Sequence, residues 1–432
     1  MSTFVLGTAR RIITPPLGTP LYGYPNHRPA SAVHDNLNVT VAAIGNDKPT
    51  ALLFNFDLCS IPAVLAEEMH KIISDETGIA HDKIMLSMTH THSGPCITTI
   101  VGWGDSNSDY IDGIFKPMAI EAAKEAIANA VPVVMGVGTT ESKVGINRRE
   151  LRADGKIYLG QNPHGMYDPT MTVLSFKSPD GAPIANIVHY GCHGTSAGHD
   201  DQITRDWCGF MVDRMEELTG ATTLFINGAE GDVGPRLSNG KTTGNHLSYT
   251  REIGSVAAID AVRAYRTIKE YREVDFRAVS DTIRIPYRPF DSLESLKAEI
   301  EGYGDPETMS AFNRLKCGTA KQKVELLESG AALDTHKEIP QVLFAFNSVV
   351  IVPFQYEMFC EITLRLRSYS KFQHTLGICN TNGSYAYLPS QDQICRGGYE
   401  IEQFLKRNVY SLVDNADDYI INENLRIMEK LL

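Results

Sequence analysis

Lys83-Ile84-Met85-Leu86-Ser87-Met88-Thr89-His90-Thr91-His92-Ser93-Gly94-Pro95 joins a short apolar run to two histidines and a turn. Residues 83–88 have the length and β-rich composition of a buried strand. Residues two apart on an extended chain face the same side, so His90 and His92 are expected to point together past the strand's C-terminal end. Gly94 and Pro95 then turn the chain sharply. Open α/β sheets bind their ligands beyond the carboxyl ends of strands, so this stretch suggests both a fold class and a place for chemistry. Taken alone, the HxH pair equally fits two structural histidines satisfied by nearby carbonyls.

Outward from this stretch the same alternation continues. Apolar, β-rich runs predict strands over 50–56, 133–138, 171–176, 184–190, 223–226 and 343–352. Helical patterns fall between them, over 62–74, 110–130, 206–217, 249–266, 293–301 and 357–370. The alternation reads as α/β, with mixed β-sheets flanked by helices. Residues 292–338 are charged and helix-prone and read as an inserted helical hairpin. No internal repeat is visible, so 1–432 is taken as one domain, with a sub-boundary expected near 270–290.

Composition narrows the functional classes. The 432 residues carry 40 Lys and Arg against 52 Asp and Glu, a formal charge of −12. No basic run supplies the phosphate-neutralising surface that nucleic-acid binding needs, and the acidity disfavours stable association with an anionic membrane. A small dissolved substrate is expected. Eight cysteines are scattered singly without a CxxC pair, which reads as reduced thiols. The first residues lack a basic region followed by an apolar stretch and cleavage site, so a cytoplasmic location is expected. Nothing in the sequence indicates the oligomeric state.

Four further segments carry chemistry. His189-Tyr190-Gly191-Cys192-His193-Gly194-Thr195 repeats the pattern of histidines at a strand end. His193 follows the strand and is the better metal-ligand candidate, whereas His189 lies within it and reads as a packed core residue. Zinc accepts neutral imidazole and carboxylate and keeps one position open in catalytic sites, so two strand ends bearing histidines suggest one shared site. Asn227 to Arg236 is glycine-rich, which lets backbone amides approach a ligand. Arg148 and Arg149 offer guanidinium groups for an oxyanion or carboxylate, although paired arginines are more often a solvated face. Late in the chain Glu357 stands where a strand hands over to a helix, and Tyr385, Tyr387 and Tyr399 punctuate a glycine-bearing loop.

In this order the segments resemble the catalytic domain of the neutral (non-lysosomal, alkaline) ceramidase family, over most of the chain. The resemblance opens with Gly7-Thr8-Ala9, Ile13-Thr14-Pro15-Pro16-Leu17-Gly18 and Gly23-Tyr24, continues through Val33-His34-Asp35, and is most specific at Thr89 to Pro95, which matches that family's T-H-T-H-S-G-P. It implies a zinc ion held by His90, His193, Glu357 and Tyr387. It further implies that His92 faces the scissile amide, that Arg148 steadies the tetrahedral intermediate and that Tyr399 is a second active-site tyrosine. Glu357 takes the place of the family's P-G-E glutamate because Leu364-Arg365-Leu366-Arg367 follows it as the family's L-R-L-R follows that ligand. Two departures stand out: Gly234 lies where the family has an active-site serine, and Tyr356 replaces the glycine before the glutamate. With no serine hydroxyl at 234, metal-activated water is left as the attacking group. The function so implied is zinc-dependent hydrolysis of an amide bond in a small N-acyl compound. True ceramidase (N-acylsphingosine amidohydrolase) activity, ester or lactone hydrolysis by the same groups, and non-catalytic ligand binding are the alternatives.

Overall fold

The computed structural model describes residues 3–24, 28–99, 104–305 and 307–432. Three β-sheets flanked by helices carry the fold, the α/β architecture expected. The first sheet runs in the order Ile84–Met88, Ala51–Phe56, Asn38–Asn46, Phe4–Ile12, Val131–Pro132. The second runs Thr222–Asn227, Pro183–Tyr190, Thr170–Lys177, Val134–Glu141, and the third Phe276–Pro286, His336–Phe346, Val349–Pro353, His374–Ile378.

Each sheet is antiparallel except for one parallel pair at its edge. A parallel pair needs a crossover, and in all three cases a helix supplies it: Ala63–Thr77, Asp206–Thr219 and Cys360–Tyr369. Among the described residues, the three main sheets thus each carry one βαβ unit. Strand alternation sorts their side chains by face. Ala51 and Leu53 join a core shared with Ile187, Leu224, Ile351 and Leu376 of the other two sheets. Leu52, Phe54 and Phe56 point the other way, onto Met69 and Ala122 of the covering helices. Asn55 sits between these layers and ties two sheets together, its amide donating to the Phe225 carbonyl at 2.6 Å and accepting from the Phe225 N–H at 3.1 Å.

Helix Asp206–Thr219 buries Trp207, Cys208, Met211, Val212 and Met215, a stripe at helical spacing. The stripe belongs to the same core as Ile253, Ala257, Ala261 and Ala264 of helix Ser248–Arg266. The expected hairpin appears as helices Leu293–Gly302 and Ala311–Ser329, whereas 336–338 already belong to the strand His336–Phe346. Both start at a serine cap: Ser292 accepts from the Ser295 amide and Ser310 from the Asn313 amide. Phe276–Pro286, which overlaps the expected seam, pairs along its length with His336–Phe346.

Three elements differ from the sequence expectation. The run 343–352 is two strands reversed at Asn347, which takes a left-handed φ of 54°. The helix expected over 110–130 is interrupted by a wide π-type turn, Ile111–Phe115, before Lys116–Ala128. Pro117 accounts for the break, since it has no N–H to donate to the preceding turn. The helix expected from 357 begins only at Cys360, because the Glu357 and Phe359 amides donate to the Ala386 and Leu388 carbonyls instead. Pairing with a distant segment has overridden local helix propensity there. Among the described residues no helix is long and apolar enough to cross a membrane.

Candidate functional site

The C-terminal ends of the three parallel pairs converge. Beyond Ile84–Met88 come His90 and His92, beyond Pro183–Tyr190 comes His193, and beyond Val349–Pro353 comes Glu357. The two histidine loops bond directly to each other, with Thr91 bridged to Gly194 and the His92 amide donating to the Gly194 carbonyl at 3.0 Å. Asn227 staples them, donating to the Thr89 carbonyl at 3.1 Å and the Cys192 carbonyl at 3.2 Å.

His90 departs from the extended backbone expected of it. Its φ is 66°, a left-handed value uncommon for a residue with a Cβ and concentrated at functional sites. The kink is held by the His90 amide donating to the Leu58 carbonyl at 2.9 Å. His90 and His92 nevertheless meet, with Nε2 atoms 3.2 Å apart, through this kink and not through strand alternation.

His90, His193 and Glu357 each bring one donor atom to within 4.8 Å of the other two, and all three are buried. Glu357 Oε2 is 3.1 Å from His193 Nε2 and 3.6 Å from His90 Nε2. Nδ1 of His193 lies 2.7 Å from the Glu230 carbonyl and Nδ1 of His90 lies 2.7 Å from the Cys59 carbonyl. A carbonyl only accepts, so both Nδ1 atoms carry the proton and both Nε2 atoms keep a lone pair. The Asn380 amide nitrogen is also 3.1 Å from His90 Nδ1, but the shorter contact to an obligate acceptor decides the tautomer. His193 Nε2 and Glu357 Oε2 make no hydrogen bond among the described residues. Buried lone pairs turned on one another, with Nδ1 committed to carbonyls behind, are the surroundings of metal-binding histidines. The donor set therefore fits a divalent cation.

Electrostatics point the same way. Burial alone would raise the Glu357 carboxyl, but the charge that His90 and His193 carry when protonated, together with the permanent cation of Arg148, holds it well below the usual carboxylate range. Burial pushes His193 down to about 3 and lowers His90 and His92 as well, so all three imidazoles are neutral. Glu230 behaves oppositely: burial, and then Glu357 beside it, pushes its carboxyl well up. Cys59 also groups with His90 and His92. Burial raises that thiol, and thiolates rather than thiols bind metals, which favours the set containing Glu357.

Tyr387 pairs in register with Glu357 across a short parallel bridge. Its ring lies nearly parallel to that of His193, with centroids 6.5 Å apart. Arg148 Nη2 donates to its hydroxyl at 2.9 Å, and the Tyr399 ring lies 5.8 Å away. The structure thus brings all seven sequence-selected residues into one place. His189 lies outside the group, and its Nε2 donates to the Gly377 carbonyl at 2.9 Å. Arg148 and Arg149 are not a solvated face: both are buried and share the carboxylate of Glu400, at 2.9 and 2.8 Å.

Sequence reasoning passed over several partners. Glu400 is next to Tyr399 in the chain, and only that adjacency hinted at it. Glu230 was read for its flanking glycines, whereas its carbonyl orients His193 and its Oε1 accepts from Asn380 at 2.5 Å. Arg28 donates to the His92 carbonyl, and the Tyr24 ring meets His92 edge-on at 5.0 Å. A Cβ on Gly23 would stand 2.4 Å from the His92 ring, so this glycine lets the imidazole lie flat against the backbone.

The second glycine that matters is Gly234. It pairs with Ile146, and a Cβ added there would meet Thr242 Cβ at 2.5 Å. Gly234→Ser is expected to lower stability by about 1–3 kcal/mol through overpacking without raising turnover. Urea unfolding and steady-state rates check this, and a variant as stable as its parent with a faster rate would contradict it.

No protein-family model matches the chain. Over 179 residues, 36% of this chain, it is 30% identical to neutral ceramidase A of Dictyostelium discoideum, and the aligned stretch spans 24% of that protein. The chain thus aligns with about a quarter of the length of this curated relative. Among solved structures, neutral ceramidase from Pseudomonas aeruginosa superposes with a TM-score of 0.76 at 17% identity, covering 100% of this chain and 75% of that one. A structure of a ceramidase complexed with C2 gives a TM-score of 0.74 at 15% identity, covering 100% and 76%.

Proposed function

We propose that this chain, a neutral ceramidase-like domain, is a zinc-dependent hydrolase that cleaves the amide bond of a small N-acyl compound, with His90, His193, Glu357 and Tyr387 holding the metal. The observation that carries the reading is the buried His90–His193–Glu357 cluster, whose Nε2 and Oε2 atoms turn inward while each Nδ1 is tied to a carbonyl. Zinc at such a site supplies Lewis acidity, which makes water nucleophilic near neutral pH. The protein's own groups do the rest. His92, neutral and seated against Tyr24 and Gly23, presents Nε2 toward the cluster and is placed to exchange a proton with the leaving amine.

Arg148 is the permanent cation beside the cluster. Glu400 anchors its Nε, leaving Nη2 on Tyr387, so the guanidinium cannot swing away as negative charge develops on the carbonyl oxygen. Burial and then the nearby Glu357 push the Tyr399 phenol up to about 12. It therefore keeps its proton throughout the neutral range and can donate a hydrogen bond to that oxygen. Donors of this kind each lower the barrier by about 3 kcal/mol.

Matched N-acyl amides and esters test the reading, assayed before and after chelation. Amide turnover should be lost with the metal and return on adding zinc. Activity on esters alone would overturn the amidase assignment, and undiminished activity after chelation would overturn zinc dependence. Hydrolysis of ceramide is the second reading, favoured by the sequence similarity to a neutral ceramidase, and including ceramide beside short water-soluble amides separates the two.

A further inference from the structure

Outside the cluster just described, a cleft of about 690 Å³ is bordered by Glu67, His70, His81, Gln341, Asn382 and Tyr385, among others. Glu67 and His70 lie three residues apart on helix Ala63–Thr77 and so share a face. His81 comes from the helical turn His81–Lys83 that follows. Glu67 Oε1 is 3.1 Å from His81 Nε2, and the two imidazoles meet edge-on with centroids 5.1 Å apart. One donor atom of each residue lies within 4.8 Å of the other two.

His70, like His90 and His193, has one ring nitrogen committed to a fixed acceptor, here a side-chain amide oxygen. Asn382 Oδ1 accepts the Leu86 N–H at 2.7 Å, which sets the orientation of that amide. The same oxygen is 3.2 Å from His70 Nε2, which must therefore be the donor. Nδ1 of His70 then carries the lone pair, and the Asn382 contact fixes that tautomer. Asn380 contacts His90 and Asn382 contacts His70, so a span of three residues links the two clusters.

We propose that Glu67, His70 and His81 form a second divalent-metal site, separate from the buried cluster and open to the cleft, with a fourth position available to water or a ligand. Two imidazoles and one carboxylate suit a borderline cation of the zinc class, whereas magnesium and calcium demand an oxygen-rich set.

Calorimetric titration of the chelator-stripped full chain with zinc tests this, using His81→Ala and Glu67→Gln. Both residues are exposed, so their loss leaves the core intact. His81→Ala should bind one equivalent fewer than the parent, and Glu67→Gln should weaken one binding event at least about tenfold. The comparison is a difference, so it reads the second site whatever the buried cluster binds. His90→Ala reports that cluster separately and should keep the equivalent that His81→Ala loses. Identical zinc uptake by the parent, His81→Ala and Glu67→Gln would overturn the proposal.

Discussion

Glu357→Gln is expected to abolish both zinc retention and turnover, with kcat/KM falling on the order of 10³-fold or more, equivalent to about 4 kcal/mol of barrier. The substitution changes almost no volume, so the fold should survive. What it removes is the buried negative charge of a carboxyl held well below the usual range beside the permanent cation of Arg148. The two Nε2 lone pairs would then face a neutral amide, and the cluster would lose the charge that a dication requires. Metal content per purified chain and steady-state kinetics measure the two effects together. His92→Ala is the control, because His92 lies outside the His90–His193–Glu357 set: it should keep its zinc and lose about 10²–10³ in kcat. Should Glu357→Gln retain stoichiometric zinc and stay within tenfold of the parent, the ligand assignment fails.

Glu400→Ala is expected to give the largest loss of stability. Glu400 is 1% exposed and accepts from two guanidiniums, Arg148 at 7% and Arg149 at 3%. Removing one partner of a buried ion pair costs about 3–5 kcal/mol, because the charge left behind has neither water nor a counter-ion. Here both guanidiniums lose the carboxylate they share, so a loss within that range is expected from urea unfolding. Turnover should fall too, since Arg148 loses the anchor that holds Nη2 on the Tyr387 hydroxyl. Loss of stability below about 1 kcal/mol would show that the two arginines find water or other acceptors, and the positioning role of Glu400 would go with it.

Much of the fold was legible because it depends on neighbours in the chain. Apolar alternation marks Ala51–Phe56, Ile84–Met88 and Pro183–Tyr190, and helical stripes mark Asp206–Thr219 and Ser248–Arg266. Phe4–Ile12 and Asn38–Asn46 were missed, and the first of these is interrupted by Gly7, Arg10 and Arg11. Those arginines point outward to partners far along the chain, Arg10 to Glu216 and Arg11 to Glu121. No local pattern carries that information.

The sequence by itself determined the α/β class, the strand ends at which the histidines stand, and the residue types available for chemistry, because periodicity and side-chain identity act over a few residues. Only the tertiary structure decided the left-handed kink at His90, the extended backbone at Glu357 and the burial of Arg148 and Arg149 on Glu400. Each of those depends on a backbone bond or ion pair with another loop, up to 252 residues away. Such contacts acquire their strength only when packing has brought the segments together and removed the water between them.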